Sequence, residues 1–176
     1  MSQSIRMQAF TAEAPVLMPA LISEIGVSLP HQKTPAQTSQ LSGLWDTGAT
    51  GCAIKDSVAK AIGAQPISKV IVNGVHGPQA CNQYLVNLYL PNNIRINSVP
   101  ATELFDSAPF DALIGMGVIA LGDFSTSTIG GKTSFTFRIP SCQKQDFANY
   151  WPKDNSTCAC GSGYMFKNCC KKLIGK

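Results

Sequence analysis

Residues 41–50, LSGLWDTGAT, decide the fold, because they place the acidic residue Asp46 at the end of an apolar strand. Burying a carboxylate costs several kcal/mol unless the group is paired, hydrogen-bonded or protonated. Gly48 suits a tight turn, and the small polar residues beside it can hydrogen-bond the backbone. The stretch is therefore either a catalytic elbow at the floor of a cleft or a surface turn between two strands.

Two later segments favour the catalytic elbow. Residues 110–119, FDALIGMGVI, contain an apolar run that ends at Gly115 and is followed by enough residues for one or two helical turns. Residues 70–78, VIVNGVHGP, predict a strand that enters a glycine-rich hairpin, because Asn-Gly is the strongest short-range hairpin signal. The elbow, the hairpin and the Leu-Ile-Gly segment follow one another in this order.

These three segments resemble the retropepsin-like (retroviral-type) aspartic peptidases over residues 15–140. The elbow with its following residues, and the Leu-Ile-Gly-Met segment, are most similar to the cellular and bacterial branch. The resemblance implies a mainly β, closed acid-protease barrel that is homodimeric and has one short helix after the elbow. It also implies an aspartic endopeptidase whose substrate is a peptide or an unfolded protein.

The resemblance further implies roles for individual residues. Asp46, Thr47 and Gly48 would form the catalytic loop, in which Thr47 reaches the partner backbone and Gly48 lets the substrate backbone approach. Gly115 would pack under the elbow, where a side chain does not fit. Gly117 departs from the aspartate that cellular relatives usually have, at a position away from the catalytic pair. The implied substrate-binding residues are Ala49, Asn73, Gly74, Val75, His76 and Gly77.

The chain contains a single Asp-Thr-Gly elbow. Aspartic peptidases need two carboxylates that share one proton, so that one activates water and the other donates to the scissile carbonyl. Asp106, Asp111 and Asp123 are followed by Ser, Ala and Phe and lack the turn sequence. A two-lobed single-chain enzyme is excluded, and the pair must come from Asp46 of each chain in a homodimer with a two-fold axis.

Short segments rich in β-branched and aromatic residues predict an all-β barrel or sandwich. Residues 56–62 predict one helix, with Asp56 or Ser57 as its cap and Gly63 as its end. Residues 91–93 predict a hairpin turn, and so do residues 130–134, which resemble a phosphate-binding loop but have no helix after them. The predicted strands are residues 19–29, 69–75, 79–90, 94–102 and 133–139.

Four of the seven cysteines lie within residues 158–170. Four thiolates at this spacing can surround one tetrahedral Zn²⁺, and the metal would supply the folding energy that so short a segment lacks. The spacing, with Gly-Ser-Gly after the second cysteine, resembles the SEC-C zinc motif of the protein-translocation ATPase. Disulfides would instead require a secreted chain. The expected zinc ligands are Cys158, Cys160, Cys169 and Cys170. The scattered cysteines, expected to be small apolar residues or incidental thiols, are Cys52, Cys81 and Cys142.

The net charge of +4 lies entirely in residues 141–176, where six Lys and two Asp sum to 6 − 2 = +4. Such a tail attracts a protein, ribosomal or nucleic-acid partner, or is simply solvated. Without a signal peptide or a membrane-length apolar run, a cytoplasmic protein is expected. The expected divisions are 1–14 N-terminal tail, 15–140 peptidase domain, 141–156 linker, 157–172 SEC-C zinc-binding motif and 173–176 basic tail.

Two functions of different class follow from this sequence. The first is a dimeric aspartic endopeptidase that a zinc-binding tail recruits to its substrates. The second is a binding or adaptor protein that keeps the dimeric scaffold without catalysis and uses the zinc motif to bind a protein, a ribosome or nucleic acid. The intact Asp-Thr-Gly-Ala at Asp46 favours the first.

Overall fold

The computed structural model describes residues 7–34, 41–74, 77–148 and 151–173, which form ten strands and three short α-helices. The strands are β1 (Gln8–Ala14), β2 (Leu21–Ser28), β3 (Leu41–Trp45), β4 (Cys52–Lys55), β5 (Ser68–Gly74), β6 (Gly77–Leu90), β7 (Ile94–Leu104), β8 (Ala112–Ile114), β9 (Asp123–Ser127) and β10 (Thr133–Ile139). The helices are α1 (Asp56–Ala61), α2 (Met116–Ile119) and α3 (Cys170–Leu173).

Seven of the strands form one sheet that closes on itself. Their order is β2-β3-β8-β4-β7-β6-β5, and β2 also pairs with β6, so that six strands make a ring and β5 stands outside it. The long β6 pairs with β5 near its start and with β2 near its end. Closure pairs strand edges that would otherwise be exposed. The mainly β fold predicted from the sequence is confirmed, and the sheet is a closed barrel.

A three-stranded antiparallel sheet, in the order β1-β10-β9, packs against the barrel through aromatic rings. Trp45, the last residue of β3, stacks on Phe124 with ring centroids 5.5 Å apart and contacts Phe137 at 5.0 Å. Its indole N–H donates to the Ser23 hydroxyl at 2.9 Å, so the polar atom is satisfied. Aromatic pairs contribute about 0.5–1.5 kcal/mol each beyond the area that they bury. This cluster fixes the residue directly before Asp46.

The predicted strands recur in the structure with small shifts at their ends, and Thr133–Ile139 matches its prediction. The turn at residues 91–93 joins β6 to β7, as expected. The predicted N-terminal tail, residues 1–14, differs, because Gln8–Ala14 forms β1 and pairs along its whole length with β10. Within β1 only Phe10 is buried, and the strand is held by its pairing with β10, which lies far along the chain.

The helix predicted at residues 56–62 is present as α1, and Gly63 ends it with a φ of 74°. The predicted cap is wrong, because neither Asp56 nor Ser57 caps the helix through its own side chain. The carboxylate of Asp106 instead accepts the Ser57 N–H at 3.1 Å and the Ser57 hydroxyl at 2.6 Å. A residue 49 positions away thus supplies the cap.

None of the helices in the described part of the chain is long and apolar enough to cross a membrane.

Candidate active site

The elbow is the loop that joins β3 to β4, and β8 lies between those two strands. Gly43 and Trp45 of β3 pair in parallel with Ala112 and Ile114 of β8. On its other side β8 pairs antiparallel with β4. The chain therefore leaves β3, passes over the end of β8 and returns on the far side. This path places Asp46 beside Ile114, the last residue of β8.

Backbone hydrogen bonds hold both arms of the elbow to the chain that follows β8. The Asp46 N–H donates to the carbonyl of Ile114 at 3.0 Å. On the returning arm, the carbonyl of Ala49 accepts from the Met116 N–H at 2.8 Å, and the carbonyl of Thr50 accepts from the Gly117 N–H at 2.9 Å. The elbow is therefore part of the sheet and not a free surface turn.

Gly115 lies beneath the elbow in a space that no side chain can enter. A Cβ atom at this position would lie 2.0 Å from the carbonyl oxygen of Gly51 and 2.7 Å from that of Ala49. Both neighbours are backbone atoms, which cannot rotate away. The expectation that Gly115 packs under the elbow is thus confirmed.

The Asp-Thr-Gly loop of the elbow is open to solvent in the single chain. Asp46 is half-buried, and Thr47 and Gly48 are exposed. The Gly48 N–H donates to Oδ1 of Asp46 at 2.8 Å and orients the carboxylate. An Asp side chain that accepts the N–H two residues later is a common arrangement in turns, and here it fixes the direction of a carboxylate that is only half-buried.

Each of the three other acids weighed as second carboxylates is occupied by structural contacts. Asp106 caps α1, and Asp111 accepts from Ser42 and Lys55. Asp123 accepts from the Ser141 hydroxyl, the Cys142 N–H and the Arg138 guanidinium, and these bonds hold its pKa far below its usual range. None of these three acids, in the part of the chain that the structure describes, is therefore free to act as a second carboxylate for Asp46.

The carboxylate of Asp111 holds three segments together through contacts that the sequence did not predict. We call this group of contacts, made by Asp111 with Ser42 and Lys55, the staple. Oδ2 accepts the Ser42 N–H at 2.9 Å and the Ser42 hydroxyl at 2.8 Å, and Oδ1 accepts from Lys55 Nζ at 3.1 Å. Burial alone would raise the pKa of Asp111, but the bonds from Ser42 and Lys55 outweigh it and lower that pKa. The staple joins β3, β4 and the residue before β8 at the ends away from the elbow.

The predicted glycine-rich hairpin is formed by β5 and β6. Asn73 pairs with Pro78, and Gly74 pairs with Gly77 near the tip. Val75 and His76, both predicted to bind substrate, lie outside the described residues. Ile71 of β5 is 67% exposed and pairs with Ala80, on the same side of the hairpin as the buried Tyr84. The hairpin thus continues the inward side of β6 beyond the core and exposes an apolar residue there.

The four C-terminal cysteines converge on one point. The sulfur atoms of Cys158, Cys160, Cys169 and Cys170 all lie within 4.8 Å of one another. Tetrahedral Zn²⁺ with Zn–S bonds of about 2.3 Å needs sulfur atoms about 3.8 Å apart. The Sγ atoms of Cys160 and Cys169 are 3.5 Å apart. The four sulfur atoms and their spacing therefore fit a metal ion, provided that the sulfur atoms move by about one ångström.

A small framework holds this cluster. The Cys158 N–H donates to the carbonyl of Tyr164 at 2.8 Å, and the Phe166 N–H donates to the carbonyl of Ser156 at 2.8 Å. Hydrogen bonds from Ser162 lower the pKa of the Cys160 thiol to about 6, whereas hydrogen bonds with Cys158 and Cys160 raise the pKa of the Cys170 thiol to about 12. Cys158 and Phe166 are buried, but neither belongs to the core of the barrel. We call this framework, residues 154–173, the knuckle.

Three scattered cysteines differ in their surroundings. Cys52 is buried beside the elbow, and burial raises the pKa of its thiol. Cys81 is half-buried on β6, and Cys142 is exposed after β10. None of them belongs to the metal cluster found among the described residues.

Residues 36–118 match a family model described as aspartyl protease. The matched range contains the elbow, the hairpin and β8. No curated protein matches the chain. The match supports an aspartyl protease, because it covers the same residues that build the elbow.

Solved structures that resemble this chain include a retropepsin-like aspartic protease from Rickettsia conorii. It is 9% identical, with a TM-score of 0.48, and the match covers 78% of this chain and 98% of that one. The protease of simian foamy virus (mac) is 15% identical, with a TM-score of 0.39 and coverage of 57% and 92%. The EIAV protease, solved with the inhibitor HBY-793, is 14% identical, with a TM-score of 0.39 and coverage of 68% and 92%.

Proposed function

We propose that this protein is a dimeric aspartic endopeptidase in which Asp46 of each chain supplies one carboxylate of the catalytic pair. The observation that carries the proposal is the elbow, where Asp46 is fixed by Ile114 on one side and oriented by Gly48 on the other. The competing acids of the same chain are engaged elsewhere. The elbow of one chain would therefore supply one of the two carboxylates of the active site.

In the proposed mechanism the two Asp46 carboxylates share one proton across the two-fold axis. One carboxylate takes a proton from a water molecule, and the oxygen of that water attacks the scissile carbonyl carbon. The other carboxyl group donates its proton to the carbonyl oxygen. The Gly48 N–H donates to Oδ1 and orients the carboxylate for this exchange of protons. Because one proton must be retained, we expect activity to favour mildly acidic pH.

The proposed substrate is an extended peptide or an unfolded protein that lies between the elbow and the hairpin. An extended peptide binds through main-chain hydrogen bonds, and its alternate side chains enter apolar pockets. Thr47 would contact the partner backbone. The proposed substrate-binding residues remain Ala49, Asn73, Gly74, Val75, His76 and Gly77. Ile71 adds an apolar surface on the inward side of the hairpin.

The C-terminal residues are proposed to form a SEC-C zinc-binding knuckle that recruits the peptidase to a protein or ribosomal partner. The four clustered thiols support one structural Zn²⁺ per chain, held by Cys158, Cys160, Cys169 and Cys170. The proposed division is therefore a peptidase domain through residue 140, a connecting segment at 141–156, the zinc motif at 157–172 and a basic end at 173–176. We place the protein in the bacterial branch and in the cytoplasm.

The test of the proposed activity is cleavage of a denatured protein or a peptide library by the wild type and by Asp46→Asn. The variant removes the shared proton and keeps the shape, so we expect activity to fall by about 10³-fold or more with the barrel still folded. Glu24→Gln, which removes an exposed carboxylate on β2, is the matched control. An Asp46→Asn variant as active as the wild type would refute the peptidase and favour a binding protein on this scaffold.

A further inference from the structure

Two of the four knuckle thiols lie close both to each other and to solvent. The Sγ atoms of Cys160 and Cys169 are 3.5 Å apart. Cys160 is exposed and Cys169 is half-buried, whereas Cys158 is buried. A disulfide bond is about 2.05 Å long, so the two sulfur atoms need to approach each other by only about 1.5 Å to form one.

The other cysteines of the knuckle are worse partners for such a bond. Cys169 and Cys170 are neighbours, and neighbouring Cα atoms lie about 3.8 Å apart, whereas a disulfide joins Cα atoms about 4.4–6.8 Å apart. A bond between them would therefore be strained. The buried sulfur of Cys158 accepts the backbone N–H groups of Cys160 and Cys170. The exposed thiol and its best-placed partner are thus Cys160 and Cys169.

The turn between these two cysteines already holds them together. Gly161 and Gly163 have φ values of 81° and 77°, in the left-handed region that glycine adopts most easily. Between them, the hydroxyl oxygen of Ser162 accepts the Tyr164 N–H at 3.3 Å and lies 3.2 Å from Sγ of Cys169. Because the turn has closed this loop, joining the two sulfur atoms costs little further chain entropy.

We propose that Cys160 and Cys169 form a redox-active pair, which a hydroperoxide converts to a disulfide with loss of the metal ion from the knuckle. This inference rests on the zinc site of the proposed function. The Cys160 thiolate attacks one oxygen of the hydroperoxide, the O–O bond breaks, and hydroxide or alkoxide leaves, so that Cys160 becomes a sulfenic acid. The Cys169 thiolate then attacks that sulfur, the S–O bond breaks, hydroxide leaves and the S–S bond forms.

The electrons and protons of this reaction balance. The two thiolates lose two electrons, the hydroperoxide accepts them, and solvent protonates both leaving groups. Disulfides of this kind are usually transient and redox-sensing where the surroundings are reducing, and a dithiol reductant reverses them.

Oxidation of the pair would remove half of the ligands that the knuckle offers to a metal ion. Structural zinc is held by four ligands in tetrahedral geometry, and a disulfide sulfur no longer supplies a thiolate. Cys158 and Cys170 alone would hold the ion weakly. Because Cys158 and Phe166 are buried apart from the core of the barrel, we expect the barrel to stay folded. Recruitment through the knuckle would stop, and cleavage of a short peptide would continue.

The test treats the zinc-loaded full chain with increasing hydrogen peroxide. A chromophoric chelator measures the zinc released, and mass spectrometry of non-reduced peptides maps the disulfides. We expect the loss of about one zinc per chain together with a Cys160–Cys169 disulfide, and a dithiol reductant with added zinc should reverse both changes. Cys142→Ser removes an exposed thiol outside the cluster, so this control should release zinc as the wild type does.

Cys160→His provides a second measurement. An imidazole nitrogen binds zinc in place of a thiolate but forms no disulfide. This variant should therefore retain its zinc at peroxide concentrations that remove the metal from the wild type. Equal zinc loss from the two proteins would overturn the inference.

The map of disulfides decides the inference even if Cys160→His fails to bind zinc. Zinc loss with a different disulfide, or with Cys160 oxidised beyond the sulfenic acid and no disulfide, would overturn it. So would retention of zinc while Cys142 is oxidised. A wild type without zinc would refute the metal site of the proposed function, and the same map on that metal-free chain would still show whether Cys160 and Cys169 pair.

Discussion

The elbow and the knuckle are both tight turns that present reactive groups, but they are held in different ways. The elbow lies on strands whose side chains belong to one continuous core, and its backbone bonds to residues on either side of Gly115. In the knuckle, Cys158 and Phe166 are buried apart from that core. The barrel core therefore fixes the geometry of Asp46, whereas the four thiols are held by a small separate framework that a bound metal ion would complete.

The largest effect should come from removing metal. We expect about one zinc per chain, lost on chelation or in Cys169→Ser combined with Cys170→Ser. Structural zinc supplies about 10–16 kcal/mol of apparent binding energy in zinc-finger peptides, so the knuckle should unfold while the barrel keeps its free energy of unfolding. Elemental analysis, limited proteolysis and urea unfolding would measure this.

The control for metal removal is Cys142→Ser, because Cys142 is exposed and lies outside the cluster. Deletion of residues 157–176 should leave cleavage of a short model peptide intact and impair recognition of a protein partner. Protein purified under reducing conditions without zinc would refute the metal site. A deletion that abolishes peptide cleavage would show that the two regions are not independent.

The next effect concerns the packing beneath the elbow. Gly115→Ala would place a methyl group within 2.0 Å of the Gly51 carbonyl oxygen, so that the elbow and β8 must separate. Overpacking of this kind costs about 1–3 kcal/mol or more, and urea unfolding should show the loss together with low activity. Gly51→Ala is a matched control, because nothing lies within 4 Å of its added Cβ. Equal stability of the two variants would mean that the elbow is not held as described.

The smallest effect should come from the staple at Asp111. Its pKa is lower in the folded chain, so its stabilisation is present above the unfolded value of about 3.9 and disappears as pH falls through the folded value. Asp111→Asn should cost about 1 kcal/mol at pH 7, and the difference from wild type should shrink below about pH 4. Urea unfolding at both pH values measures it, with Glu24→Gln as the control. If the difference in free energy of unfolding between Asp111→Asn and the wild type does not vary with pH, the loss is due to packing and not to the charge of Asp111.

The parts of the fold that local sequence could predict are those with local causes. Residues 91–93 and Gly63 carry turn and helix-end signals that act within a few positions. Gly115 was recognised through a resemblance, and the structure supplies its physical reason in the Gly51 and Ala49 carbonyls.

The parts that were missed depend on residues far apart in the chain. β8 has only three residues and is stable because β3 and β4 pair with it on either side. Asp106 caps a helix 49 positions away, and Asp111 bonds a serine 69 positions away. No local sequence pattern predicts partners that lie so far away in the chain.

The central claim is that one chain carries half of the catalytic site. It is tested most directly by measuring specific peptidase activity and the fraction of dimer in the same samples over a dilution series. Activity per chain should fall in proportion to the dimer fraction as the protein dissociates. Full activity per chain in samples that contain only monomer would contradict the account.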